Sequence, residues 1–195
     1  MAILENAIVD RYPRPAKVRG GEETTLRPLD STDAADLIKF FAEIPPQDRN
    51  FLKDNVEDPA VVEGWCDNID LDRVFPLLAL HNGRIVADAT LHQTRTGWMS
   101  HIGKVRVVTH PDFRKQGLAS TMVEELIKVA ARSALQRVEA ELVAEQKGAR
   151  TAFGRMGFQE IAVLPQYVRD IHTKLHDLII MSYVIHDQEN VFSGD

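Results

Sequence analysis

The side chains best placed to do chemistry cluster in one run, His110-Pro111-Asp112-Phe113-Arg114-Lys115-Gln116-Gly117-Leu118-Ala119-Ser120. Lys104-Val105-Arg106-Val107-Val108 before it alternates as a strand does, and Leu118, Met122, Val123, Leu126, Ile127 and Ala130 after it recur at helix spacing. A strand therefore feeds a helix through a turn rich in backbone donors. Gly117 lets a ligand approach the main chain, and the first amides of a helix have no partner within it. A phosphate there would gain those N–H groups, the positive end of the helix dipole, and the charges of Arg114 and Lys115.

Groups able to move a proton are more scattered. Glu139, Glu141 and Glu145 alternate with Val138, Ala140, Leu142 and Ala144, so the glutamates share one strand face, with Glu141 nearest its middle. The same alternation also describes a solvated polar face. His92 and His101 have suitable intrinsic pKa values, although an exposed placement is the simpler expectation, and Tyr167 carries a phenol. His172 and His176 stand four apart near Asp170 and Asp177, but without a helical pattern or a third ligand they define no metal site.

The elements that must hold these groups follow from periodicity and punctuation. Ala16–Arg19 and Thr24–Arg27 flank Gly20-Gly21 and read as an edge hairpin, preceded by an arm containing Tyr12-Pro13-Arg14-Pro15. Asp30-Ser31-Thr32-Asp33 caps a helix with an apolar face of Ala34, Leu37, Ile38, Phe40 and Phe41, ending near Pro45-Pro46. A second helix starts at Asp58-Pro59 and runs to about Asn68; its Trp65 is read as core in preference to a pocket wall. Phe75–Leu80 and Arg84–Leu91 join at Asn82-Gly83, a strong hairpin signal, and a third strand after Gly97-Trp98 completes a meander. Strand, helix and the next strand at Val138–Ala144 require a crossover, so that part of the sheet is parallel. A short helix, Gln146–Met156, closes at Gly157; Gln159–Leu164 and Leu178–Ile185 form a last antiparallel pair connected through Tyr167–Asp177. The expected fold class is α/β (α+β), a mixed central sheet of about seven strands with helices on both faces.

This succession of strand, His-Pro turn, Arg114-x-x-Gly117-x-Ala119, amphipathic helix, strand, and Ala149 to Phe158 resembles the Gcn5-related N-acetyltransferase (GNAT) superfamily. The likeness is specific over roughly 75–165. Its Leu26-Arg27-Pro28-Leu29 and His176-Asp177-Leu178-Ile179-Ile180-Met181 segments are similar to stand-alone bacterial members and to protein-lysine acetyltransferase modules. The resemblance implies a split between two central parallel strands that takes the pantetheine arm of acetyl-CoA. It places exposed strand backbone at Val107, Val108 and Thr109, a pyrophosphate cradle on Arg114, Lys115, Gln116, Gly117, Leu118, Ala119 and Ser120, and further CoA contacts at Gln146 and Phe153. Acceptor choice falls to the paired helices after the first strand. Where many members carry a carboxylate base, this chain has Gly103 and Lys104; where they carry a tyrosine acid, it has Phe153. Glu141 and Tyr167 are the substitutes the sequence offers for the catalytic pair.

Composition bounds the rest. The 195 residues, 44% hydrophobic and 27% charged, suit one domain: an arm and edge hairpin over 1–22, the domain proper over 23–187 and a polar tail over 188–195. The single cysteine, Cys66, and the lack of a signal peptide or membrane-length apolar run lead to the expectation of a cytoplasmic protein with no membrane partner. A net charge of −6 argues against nucleic-acid binding and accords with a cationic acceptor. The expected activity is transfer of acetyl from acetyl-CoA, as co-substrate and without a metal, to a primary amine on a small molecule or a protein lysine. The alternatives are a non-catalytic acyl-CoA-binding module and an enzyme using another acyl-CoA. Sheet edges and the arm leave a homodimer open.

Overall fold

The computed structural model describes residues 11–18 and 23–186. The Gly20-Gly21 turn, most of the arm and the tail lie outside the described residues. Among the described residues eight strands, where about seven are expected, form a single sheet in the order β1-β2-β3-β4-β5-β6-β8-β7. They are β1 (Arg14–Lys17), β2 (Glu23–Pro28), β3 (Val74–His81), β4 (Arg84–Gln93), β5 (Ile102–Thr109), β6 (Arg137–Val143), β7 (Gln159–Arg169) and β8 (Leu175–Val184). The edge hairpin is present, with Arg14 opposite Leu26 and Lys17 opposite Glu23. The Pro-rich segment is docked on its own chain: Tyr12 packs its ring on Phe75, and Arg14 Nη1 lies 2.7 Å from Glu125 Oε2.

Helices cover both faces because each presents one apolar stripe. On one face lie α1 (Ala34–Glu43), the single turn α2 (Pro46–Arg49) and α3 (Pro59–Asp67). Leu37, Phe40, Phe41, Val62 and Cys66 pack there with Leu78 and Ile85 of the sheet. Asp30 begins the approach to α1 with a capping box, and Asp33 is held by two 2.6 Å hydrogen bonds donated by Arg27. Asp58 caps α3, with Pro59 in its first turn where a missing N–H costs nothing. On the other face α4 (Leu118–Arg132) buries Leu118, Met122, Val123, Leu126 and Ala130 against Leu77, Ala89, Leu91 and Val138, and α5 (Lys147–Arg155) adds Phe153.

Turn chemistry fixes the register. Asn82 and Gly83 take φ of 50° and 80°, the two left-handed positions of a tight hairpin, between β3 and β4. The largest boundary difference from the expectation is in the last pair: β7 runs on to Arg169 and β8 starts at Leu175, so the final connection spans 170–174, and Tyr167 is a strand residue rather than a loop residue. Pro165 lies where β7 pairing with β8 is interrupted between Leu164 and Val168; an edge strand tolerates the missing donor and resumes.

Gly103, one of the two positions where a carboxylate is wanted by analogy, faces the packed side of the sheet. A Cβ there would come within 2.8 Å of both Leu91 Cδ1 and Leu135 Cδ1. Gly103→Ala is expected to cost about 1–3 kcal/mol by overpacking, and Gly103→Glu to prevent folding; a thermal melt of the Glu variant matching the parent would show that this packing is not tight.

Candidate active site

The site begins where two strands part. β5 and β6 pair in parallel from Ile102 and Arg137 only as far as Val105 and Ala140. β5 continues to Thr109 along β4, and β6 to Val143 along β8. The stretch Arg106–Thr109, including the expected Val107, Val108 and Thr109, thus has strand backbone with no ladder partner on the β6 side. An unpaired strand edge of this kind accepts an extended ligand through main-chain hydrogen bonds.

At the end of that edge, His110 caps the turn Pro111–Phe113 by accepting from the Asp112 amide. The chain then reverses through Lys115 and Gly117, with φ of 60° and 88°, into α4. The amides of Lys115, Gln116, Gly117, Leu118, Ala119 and Ser120 donate to no group among the described residues. Nothing lies within 4 Å of a Cβ built on Gly117, so the space over these amides is open. Leu118 offers only its amide, its side chain being core. Arg114 reaches back to Thr109 O (3.1 Å) and forms an ion pair with Asp48 (2.8 Å). Free amides, a helix dipole and Arg114 beside Lys115 fit a pyrophosphate group.

Four other expected residues stand as follows. Gln146 accepts from Val143 N through Oε1 (3.0 Å) at the end of β6, which leaves its amide NH2 for a ligand. Phe153 is 4% exposed and packed edge-on against Phe158, a core ring rather than a channel wall. Tyr167 is 66% exposed on edge strand β7, two strands away from the split. Glu141 sits one residue beyond the last β5–β6 pair and is bridged by Lys104 (2.5 Å) from β5 and by Lys53 from the segment after α2. Burial raises its pKa, but the hydrogen bonds from Lys104 and Lys53 outweigh it and hold the carboxyl below the usual range. As a base it is weak. His176 is occupied between Glu145 (2.7 Å) and Asp170 (3.0 Å), which favour its charged form, while Phe51 meets its ring edge-on.

The carboxyl best suited to accept a proton is one the sequence reading passed over. A cavity of about 470 Å³ lies between the sheet and the α1–α3 layer, bounded by Phe41, Val56 and Trp65 above and by Asp88, Thr90, His92, Arg106 and Val108 below. Trp65 therefore does line a pocket, while also packing on Phe41. Asp88 is the register partner of Val108, and no hydrogen bond reaches its side chain from the described residues. The surface it retains faces the cavity. Burial pushes its pKa up to about 7, against the opposing charge of Arg106. His92, hydrogen-bonded to Thr90 at 3.0 Å, is driven down to about 4 by burial and by Arg106, and stays neutral. Asp88, Thr90 and His92 alternate like a solvated face. The missed signal is the pair of apolar helices α1 and α3, which need a second sheet face to cover.

A sheet opened beside a bare helix start, with a cavity reaching the same strand from the other face, defines an α/β protein with room for a phosphate-bearing ligand next to a second, enclosed space. The model of the acetyltransferase (GNAT) family matches residues 37–158, and the chain belongs to that family. No curated protein matches it. Among solved structures it is similar to a GNAT-family acetyltransferase from Streptococcus pneumoniae (21% identity, 83% of this chain and 99% of that one, TM-score 0.72). It is also similar to yncA of Salmonella typhimurium, a putative acetyltransferase solved with acetyl-CoA (19%, 84% and 95%, 0.72). The ribosomal-protein-S5-alanine acetyltransferase of Vibrio fischeri shares the fold as well (15%, 88% and 98%, 0.76).

Two outcomes test the geometry. Gly117→Glu is expected to abolish acetyl-CoA binding by calorimetry, whereas Gly117→Ala keeps it and loses about 1–2 kcal/mol of stability to the left-handed φ; equal affinity in the Glu variant removes the phosphate site. Because burial raises the Asp88 pKa, its native form holds a proton that the unfolded chain releases above its ordinary pKa, so stability falls as pH rises toward about 7. Asp88→Asn should therefore raise Tm more at about pH 8 than at about pH 5; an equal change at the two pH values would mean that Asp88 is solvated.

Proposed function

We propose that the chain is an N-acyltransferase that moves an acetyl group from acetyl-CoA to a primary amine. The observation that carries this reading is the convergence of the free β5 edge, the bare amides before α4 and the Asp88 cavity on the single stretch Val107–Thr109. The acetyl-CoA in the yncA structure supports the donor. Acetyl-CoA, when bound, supplies a thioester whose acyl carbon an amine can attack.

The chain's own groups then divide the work. Amides of Lys115–Ser120, with Arg114 and Lys115, hold the pyrophosphate, and Gln146 offers its NH2 to the pantetheine arm. A free N–H of β5 donates to the carbonyl oxygen as negative charge grows there. Asp88, as carboxylate, takes the proton from the ammonium and frees its lone pair. The C–N bond forms as the C–S bond breaks, the nitrogen loses its second proton, and one proton ends on the departing thiolate. An ordinary thiol has a pKa of about 8.5, so its thiolate leaves without a dedicated acid, and Phe153 in place of a tyrosine does not prevent the step. Glu141 acts by position, holding Lys104 and Lys53 across the vertex of the split. Tyr167 has no part in this scheme.

Thiol release with acetyl-CoA and an amine panel tests the reading. kcat/KM should rise with pH to a plateau above about 7, as the base loses its proton. Asp88→Asn should lower it about 10²-fold and flatten that rise, with acetyl-CoA affinity retained. An unchanged pH profile in Asp88→Asn excludes Asp88 as the base; acetyl-CoA binding without thiol release from any amine favours a binding module.

A further inference from the structure

We infer that the acceptor is a small primary monoamine with an apolar body, an arylalkyl or alkyl amine taken whole into the cavity above Asp88, in place of a polyamine or a protein segment. This rests on the acyl-transfer reading above and names the acceptor for the same site.

The walls come first. Leu37, Phe41, Val56, Trp65 and Ile69 line one side of about 470 Å³, a volume suited to a small ligand, and apolar side chains there gain from covering an apolar body. The charges come second. Asp88 is a lining carboxyl with no hydrogen-bonding partner among the described residues, so it fixes one ammonium beside Val108. The other charges around the space are three cations and two carboxylates: Arg106, paired with Asp54 at 3.0 Å, Lys53 on Glu141, Arg73, and Asp70. Asp70 also lines the cavity, but one of its carboxylate oxygens accepts from the Asp72 amide. A second ammonium, as in spermidine, would lose its water with Asp54 already held by Arg106 and Asp70 already accepting from an amide, a cost that a low-dielectric wall increases.

The roof comes third. Residues 48–54 are tied down at three points across the site, Asp48 to Arg114, Lys53 to Glu141 and Asp54 to Arg106. These ties join the segment to the cradle, to β6 and to β5. A peptide needs a groove that continues past the reacting residue, and this strap crosses the path. A compact amine needs only the chamber beneath it.

Thiol release should be measured with 2-phenylethylamine, hexylamine, spermidine, and short peptides bearing an N-terminal alanine or an internal lysine. In parallel, 2-phenylethylamine is titrated calorimetrically into protein saturated with CoA. The two apolar amines should exceed the others in kcat/KM by about ten-fold or more. Leu52→Trp, which adds bulk to the roof, should raise KM for 2-phenylethylamine about ten-fold while acetyl-CoA affinity holds; Asn68→Trp at the rim provides the same reading if the first variant folds poorly. Faster turnover of spermidine or of either peptide overturns the inference and leaves acyl transfer standing. Acetyl-CoA binding with no thiol release from any amine overturns acyl transfer, and the calorimetric arm then still decides whether the cavity takes an apolar amine. No heat with 2-phenylethylamine, together with no turnover of it, overturns the inference in either case.

Discussion

The structure depends on a mismatch between two half-sheets. β5 keeps its antiparallel register with β4 from Gly103 to Thr109, and β6 keeps its register with β8 from Arg137 to Val143, yet the two strands hold each other over only four residue pairs. The main-chain N–H and C=O groups of β5 that face β6 beyond Val105 have no ladder partner and are left to side chains, solvent or a ligand, because burying them unpaired would be costly. That unmet demand makes the gap a binding site. It also explains why the helix start at Leu118 lies where it does: the strand that carries the free edge leads directly into the turn that carries the free amides. Two forms of unsatisfied backbone, one extended and one helical, become continuous.

The charges at the vertex of this gap show how the chain differs from the pattern it resembles. Lys104 stands where a carboxylate is expected on β5, and the carboxylate stands across the split at Glu141 on β6. The swap keeps an ion pair over the opening but consumes the carboxylate's basicity, since Lys53 neutralises it from the other side as well. Gly103 could not carry the missing group either, because its position is filled by Leu91 and Leu135. In the acyl-transfer scheme proposed above, proton removal is therefore assigned to another strand.

Much of this was readable from residue order. The 3.6-residue stripe of α4, the Asn82-Gly83 hairpin and the glycine before Leu118 each act locally, so the cradle and the meander follow from short stretches of chain. What the sequence hid was tertiary. Tyr167 reads as a loop residue because Pro165 breaks the local pattern, whereas an edge strand absorbs a proline and pairs again three residues later. Phe153 reads as a ligand contact by analogy, whereas Phe158 and the rest of the core take up its ring. Asp88, Thr90 and His92 read as a wet face until α1 and α3 are laid over them.

Asp88 is also the group whose presence costs the fold most visibly. A carboxyl placed under a helical layer, without a hydrogen-bonding partner among the described residues, is penalised as soon as it ionises, and Arg106 offsets only part of that because Asp54 already engages its guanidinium. A stability cost concentrated on one side chain, at the point where a cavity meets the free strand edge, is what a reaction requiring a proton acceptor near neutral pH would retain. His92 beside it is kept neutral by the same burial, so the cavity floor holds one titrating group in the physiological range and avoids a second.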